Sequence, residues 1–375
     1  MIDWHFERTA LAEHFLNAFD TGITGSLTLF APRRMGKSEF LLHDLAPLAY
    51  GRKYQICYCS FWQLKDNPAK ALRHALEECV ENHDWKSRLS AYISHSGTVE
   101  LKSDLPPLAS LTLKSNPEKP TENDLLSIID LIKRLARRKA PTLLLLDEVQ
   151  HLSTRPEFES LVALLRTEFE THRKKIYVVF TGSSREGLMR MFRDRKAPMF
   201  HASQQIDLPD LGSEFVAYML DCYAQASSVK LSLVKAIKVF NALQNGPALF
   251  HLLLKFMLIN GIKDIDAGYS AFQKAVNIDE DYGYLWNDLL PIDQAVLQLL
   301  ASELDVGLYT EKARLWLGER LGVDEISIPK IQNAVDRLRD EQLIYNGGYR
   351  VWLFEDERFR NWVCAKLEKH KIEQV

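Results

Sequence analysis

APRRMGKS, residues 31–38, is the stretch that decides the fold. A loop that wraps backbone N–H groups around phosphates needs residues that tolerate tight turns, a lysine for the β- and γ-phosphate charge, and a hydroxyl for magnesium. Gly36, Lys37 and Ser38 supply these in order, and Ala31, Pro32, Arg33, Arg34 and Met35 lead up to them. Ala31 stands where the strict pattern carries its first glycine, so the motif must be judged with its setting. Before it lies the apolar run LTLF, which reads as a strand. After it Phe40, Leu41, Leu42, Leu45 and Leu48 recur at helical spacing. Strand, loop, helix is the order that such a loop requires.

Working outward, residues 8–19 place Leu11, Phe15, Leu16 and Phe19 on one helical face, and TGITGS supplies a turn before the strand. YQICYCSFW (54–62) predicts a second strand, and the stretch from Pro68 to Val80 a helix. From about Ser94 to Pro120 the chain is rich in Ser, Pro, Leu and Lys without a clean period, which reads as an insertion or long loop. Thr121 and Asn123 are candidate caps for a helix bearing Leu125, Leu126, Ile129, Ile132 and Leu135, and Arg137, Arg138 and Lys139 suit its C-terminal dipole. TLLLLD (142–147) and KIYVVFTG (175–182) are continuous apolar runs, as central parallel strands covered on both faces would be, and QQIDL (204–208) is a weaker fifth. Strands alternating with helices predict an α/β P-loop core with a parallel sheet over residues 1–208.

Beyond Pro209 the strand signal fades. Helical patterns at 213–226, 231–245 and 247–260 predict an all-helical second domain over 209–288. From Pro291 the order is DQAVLQLLASE, TEKARLWLGERLG and PKIQNAVDRLRDEQ, then a hairpin signal in LIYNGGYRVWLF around Asn346, Gly347 and Gly348. Three helices and a hairpin predict a C-terminal winged helix over 289–375.

The chemistry rests on a second element. Asp147 and Glu148 end the four-leucine strand about a hundred residues after the loop. At that strand end Asp147 would hold magnesium through water, and Glu148 would polarise the water that attacks ATP. The bland alternative, a strand followed by an acidic helix start, explains the pair without nucleotide. In VVFTGSS, Thr181, Ser183 or Ser184 would reach the γ-phosphate or the lytic water, although hydroxyl residues are common in turns after strands. In the segment 185–196, Arg185, Arg190, Arg193, Arg195 and Lys196 outnumber Glu186 and Asp194. Three uses compete for it: an arginine reaching a neighbouring subunit's γ-phosphate in a homo-oligomer, a track for a nucleic-acid backbone, or a solvated helix face.

Bulk properties bound the reading. The 375 residues are 46% hydrophobic, enough for two or three cores. With 47 Lys plus Arg against 50 Asp plus Glu, net charge −3, no global field draws the chain to nucleic acid or an anionic membrane. Cys57 and Cys59, two apart in a strand, share a face and do not have zinc-site spacing. No signal peptide is read in MIDWHFERTALAEHF, and PALFHLLLKFMLIN is too short to span a bilayer and contains His251 and Lys255. A reduced cytoplasm is the expected location, with no membrane contact.

FERTALAEHF, APRRMGKSEFL, LLLLDEVQHL and VVFTGSSREGLM together resemble the signature boxes of the archaeal-type ATPase family. That family is a branch of the AAA+ ATPases close to the STAND signalling ATPases and the origin-recognition initiators. The run from Leu338 to Val363 resembles the family's closing winged helix, so the likeness extends over nearly the whole chain. It implies a nucleotide held between the α/β core and a helical lid, with Phe6 and Arg8 near the adenine or the lid and Pro247 in the lid's Gly-x-Pro signature, here Asn245-Gly246-Pro247. Where the family commonly carries Gly-Arg before the fifth strand, this chain has His201-Ala202. DEVQHL is also similar to ATPases that assist transposition and secretion.

Together these observations predict a Mg-ATP hydrolase, slow or partner-stimulated, with Lys37, Glu148 and Thr181 in the chemistry and Ser38 and Asp147 on the metal. It would act as a switch that relays nucleotide state through lid and winged helix to a protein partner. The alternative is a DNA-directed ATPase of initiator or transposition-helper type that reads DNA with the winged helix. In the presumed recognition helix Lys330, Arg337 and Arg339 are offset by Asp336, Asp340 and Glu341. In the wing Arg350, Arg358 and Arg360 are offset by Glu355, Asp356 and Glu357. That balance favours protein relay.

Overall fold

A computed structural model describes residues 2–372, apart from residues 63, 65, 82–118, 154, 276–277, 303–306, 342 and 349–350. Most of the expected insertion at 94–120 therefore lies outside the described residues. The described residues up to Ser270 form one compact unit, and those from Ala271 onward form a second.

The first unit is built on five parallel strands, β1 (Ser26–Phe30), β2 (Gln55–Ser60), β3 (Thr142–Asp147), β4 (Ile176–Gly182) and β5 (Gln204–Asp207), in the order β2-β3-β4-β1-β5. The loop-bearing strand β1 and the acid-bearing strand β3 are therefore not neighbours, because β4 runs between them. Helices on both faces explain why the four leucines of β3 need no alternation. Leu144 and Leu146 join one apolar cluster with Cys57, Cys59, Ile128 and Leu165, while Leu143 and Leu145 join the other with Phe15, Phe40 and Leu45.

The helices that cover the sheet are α1 (Thr9–Asp20), α2 (Lys37–Glu39), α3 (Ala46–Gly51), α4 (Pro68–Glu81), α5 (Glu122–Ala136), α6 (Glu159–Thr171) and α7 (Arg185–Phe192). Between α2 and α3 the chain stays helical but widens to a π-helical stretch, Phe40–Leu45, which turns Phe40, Leu41, Leu42 and Leu45 inward together. At the start of α5 the cap is Thr121, whose hydroxyl accepts from the Asp124 N–H at 3.1 Å while Asp124 answers the Thr121 N–H at 3.3 Å. Asn123, the other expected cap, lies inside the helix, because the reciprocal box needs its acidic partner three residues after the cap.

After β5 come α8 (Ser213–Ser227), α9 (Leu233–Ala242), α10 (Pro247–Ile259) and α11 (Ile265–Ala275). Phe215, Phe240 and Phe250 form their shared ring cluster, with centroids 5.4 Å apart for the first pair and 5.3 Å for the last. Pro247 opens α10 at a position where a missing N–H costs nothing.

The second unit contains α12 (Ile278–Asp288), α13 (Pro291–Ala301), α14 (Glu311–Leu321), α15 (Ile328–Asp340), the antiparallel strands β6 (Ile344–Gly348) and β7 (Val351–Phe354), and α16 (Glu357–Ile372). Three helices followed by a two-stranded wing are the winged helix expected from sequence. One detail differs. Asn346 and Gly348 lie within β6, pairing with Trp352 and Val351 across a bulge, so they do not form the turn. Phe359 and Trp362 of α16 stack with centroids 6.0 Å apart, and Trp286 meets Trp362 edge-on at 5.8 Å.

Among the described residues no helix is long and apolar enough to cross a membrane.

Candidate functional site

The loop after β1 takes the backbone shape its residues permit. Gly36 sits at φ +88°, where a side chain would be strained, and Arg34 also adopts a left-handed φ of +66°. These turns carry the chain from β1 into α2, which starts at Lys37. The Lys37 side chain is only 5% exposed and curls back into the loop, donating to the carbonyls of Ala31 at 2.9 Å and Pro32 at 3.1 Å. Its Nζ also lies 3.7 Å from Glu148 Oε1. Burial pulls the Lys37 pKa below its ordinary value, against the raising charges of Glu148 and Asp147.

Parallel pairing brings the other expected groups to the same sheet edge. Ser38 Oγ donates to Asp147 Oδ2 at 2.7 Å, and the Tyr58 hydroxyl donates to the same oxygen at 3.0 Å. The Thr181 hydroxyl, on the intervening strand, donates to Asp147 Oδ1 and accepts the Glu148 N–H at 3.3 Å. Burial, and then the neighbouring Glu148 charge, raise the Asp147 pKa against the hydroxyl donors and Lys37. A buried carboxylate beside a serine hydroxyl, held among oxygen donors, suits a hard divalent cation such as magnesium.

Glu148 sits at φ +57°, an uncommon conformation for a glutamate and one that turns its carboxylate toward Lys37. Its Oε2 accepts from Ser183 Oγ at 2.7 Å and from the Gln150 side-chain amide. Burial opposes its charge, but Lys37, Ser183, Gln150 and Arg33 outweigh burial and hold its pKa below the usual carboxylate value.

The remaining expected residues lie around this centre. Met35 presents its carbonyl to Arg8 Nη2 at 3.3 Å, and Arg8 Nη1 donates to the Pro209 carbonyl at 2.6 Å. One guanidinium thus ties the phosphate loop to the segment that leads into α8. Phe6 packs edge-on against Phe215 and Tyr218 of α8, at 5.7 and 5.6 Å between centroids. Arg33 lies over the Trp62 ring at 4.9 Å. Pro247 is not brought to Lys37 or Asp147 by any contact described; it is buried as the first residue of α10. Of the three hydroxyls weighed at the end of β4, Thr181 and Ser183 face the acidic pair, whereas Ser184 caps α7 by accepting the Gly187 N–H at 3.1 Å.

In the basic segment, Arg185 stacks on Phe30 at 4.1 Å and Arg190 pairs with Glu186 at 2.6 Å, while Arg193, Arg195 and Lys196 are exposed. Sequence reasoning did not find Tyr58 or Gln150. Tyr58 was recoverable in principle, since the β2–β3 register sets Ser60 against Asp147 and places Tyr58 within reach. Gln150 carried no signal, because only the tight turn at Val149–Ser153 brings it back to Glu148.

No protein-family model and no curated protein sequence matches the chain. Solved structures do. A Walker-type ATPase of Pyrococcus abyssi superposes with a TM-score of 0.58 at 16% identity, over 97% of this chain and 96% of its own. The ORC2 protein of Aeropyrum pernix, in its ADPNP–ADP complexes, superposes with a TM-score of 0.55 at 16% identity, over 97% and 93%. Its ADP form gives 0.56 at 16%, over 96% and 93%. At this identity the likeness concerns the fold, and the chain has that fold: a P-loop-type α/β core with a parallel sheet, followed by a helical region and a C-terminal winged helix.

Proposed function

We propose that this protein binds ATP with magnesium and hydrolyses it, and uses the cycle as a switch for a protein partner. The carrying observation is the convergence of Lys37, Ser38, Asp147, Glu148 and Thr181, drawn from three strand ends, on one loop whose backbone is already turned for phosphate. Lys37 would leave the carbonyls of Ala31 and Pro32 for the β- and γ-phosphates, where a fixed cation offsets their charge. Ser38 and Asp147 would hold magnesium, which when bound neutralises charge on the phosphates. Thr181 fixes both acids, its hydroxyl on Asp147 and its oxygen on the Glu148 N–H. Glu148, kept ionised, would take a proton from the attacking water.

The relay to a protein is supported by two features. Arg8 joins Met35 of the loop to Pro209 before α8, so a loop that changes on binding pulls on the lid's first segment. In the presumed recognition helix, Arg337 is engaged by Asp293 at 2.6 Å and Arg339 by Asp336 at 3.1 Å, so of its cations Lys330, Arg337 and Arg339 the two arginines are already paired with carboxylates. The DNA-directed reading predicts affinity that collapses with rising salt in a DNA titration. The protein reading predicts none to collapse.

Steady-state phosphate release tests the enzyme. Wild type should turn over and Glu148→Gln should fall by about two orders of magnitude or more, the size expected when a general base is removed. Equal rates would overturn the assignment of Glu148.

A further inference from the structure

Gln150 is wholly buried, yet it is polar and lies beside the proposed base. Its Nε2 donates to Glu148 Oε2 and, at 3.2 Å, to Ser183 Oγ, while Ser183 donates to the same Glu148 oxygen at 2.7 Å. The three groups close a triangle on one carboxylate oxygen. Glu148 Oε1 is left on the other side, 3.7 Å from Lys37 Nζ.

The surroundings are shaped for this glutamine. A Cβ on Gly182 would come within 2.7 Å of Gln150 Oε1 and of Leu188, and one on Gly187 within 2.5 Å of Gln150 Cβ. At Gly187 the clash is with a Cβ that cannot turn aside, so only glycine leaves room there. Ser153 Oγ shares its one proton between the Gln150 carbonyl at 2.8 Å and the Gly187 carbonyl at 3.1 Å, linking the turn after β3 to the first turn of α7. Gln150 Oε1 is buried and accepts no hydrogen bond among the described residues. A buried polar side chain that leaves one end unsatisfied is costly, so filling space does not account for a glutamine here, where an apolar side chain would do so at less cost.

We propose that Gln150 and Ser183 are positioning residues that anchor Glu148 by Oε2 and so assign Oε1 as the oxygen that receives the proton of the attacking water. The assignment rests on the ATPase reading above. When Lys37 turns to the phosphates, Oε1 loses its cation and becomes the free basic oxygen, while Oε2 stays held by two donors. Water's oxygen then bonds to the γ-phosphorus as its proton passes to Oε1. The bond to the bridging oxygen breaks with its electron pair going to ADP, and the proton later leaves Glu148 for solvent.

The test compares full-length wild type, Gln150→Met, Ser183→Ala, Ser183→Thr and Glu148→Gln for Mg-ATP affinity and for kcat. Methionine preserves the volume of Gln150 without a donor, and Ser183→Thr keeps the hydroxyl. Gln150→Met and Ser183→Ala should bind Mg-ATP within about twofold of wild type, and kcat should fall about tenfold or more for Gln150→Met and less for Ser183→Ala. Ser183→Thr should retain more of the rate than Ser183→Ala. A loss of kcat at unchanged affinity, rescued by the retained hydroxyl, is what simple structural damage would not show. Wild-type kcat in both Gln150→Met and Ser183→Ala, or a kcat loss matched by an equal loss of affinity, would overturn the anchor, and if Gln150→Met fails to fold, Ser183→Ala against Ser183→Thr decides alone. Glu148→Gln separates the two layers: wild-type turnover in that variant refutes the base itself, whereas an inactive Glu148→Gln beside anchor variants at wild-type kcat refutes only the anchor.

Discussion

His5→Gln should make stability less dependent on pH, by an amount that the strap across the phosphate-loop helix sets. His5 Nε2 lies 2.9 Å from Asp44 Oδ1, and that oxygen also accepts the Arg8 N–H at 3.1 Å. Asp44 is 7% exposed, on the π-helical stretch that follows Lys37. Glu39 faces the other ring nitrogen of His5 at 3.9 Å, His43 packs on the ring at 5.0 Å, and Asp3 accepts the His5 N–H at 2.9 Å. Burial disfavours the imidazolium, but the hydrogen bond and charge of Asp44, helped by Glu39 and Asp3, outweigh it and raise the His5 pKa.

A raised folded pKa means that the stabilisation is fully present below the unfolded value of about 6.5 and is lost as pH rises through the folded value. Glutamine keeps a donor but cannot take the proton. The difference between a charged and a neutral donor to a carboxylate is about 1 kcal/mol, or about 2–4 °C in Tm for a unit of this size. Thermal melts of wild type and His5→Gln should therefore differ by that amount at about pH 6 and converge toward about pH 8.5. A gap that stays constant over that range would refute the reasoning.

Two further contacts carry predictions of their own. Arg337→Met should destabilise the second unit by about 1–2 kcal/mol in chemical denaturation, discounted for the partial exposure of Arg337, because it strips both hydrogen bonds from the buried Asp293 carboxylate. Adding Asp293→Asn should return part of that loss. Ser38→Ala should weaken ATP binding about tenfold when magnesium is present and change it little when magnesium is chelated, since the hydroxyl that meets Asp147 is the proposed metal contact.

The parts legible in the sequence are those fixed by local pattern. APRRMGKS, TLLLLDE and VVFTGSS each mark the C-terminal end of a strand, and parallel order then brings Lys37, Asp147 and Thr181 to one edge. Residues whose roles depend on chain reversal were not legible. Gln150 is two positions from Glu148, and its side-chain contact with that residue depends on the tight turn at Val149–Ser153, which no pattern in the sequence marks. The family resemblance placed Arg8 near the adenine or the lid, but its partner Pro209, 201 residues away, carries no periodic trace. Asn-Gly is the common hairpin-turn signal, but the bulge between Asn346 and Gly348 keeps these residues in the strand. Likewise Arg185 reads in the sequence as one more cation of a basic run, and only the fold sets the ring of Phe30 beneath it.

The most direct measurement is a calorimetric titration of the full chain with Mg-ATP, wild type against Lys37→Ala. Lys37 is the buried cation of the loop, and losing its charge-assisted contacts should cost about 1.5–3 kcal/mol, or about 10- to 150-fold in Kd. Saturable wild-type binding that weakens by that factor is the result expected. No wild-type binding, or an affinity that Lys37→Ala leaves unchanged, would contradict the nucleotide site itself.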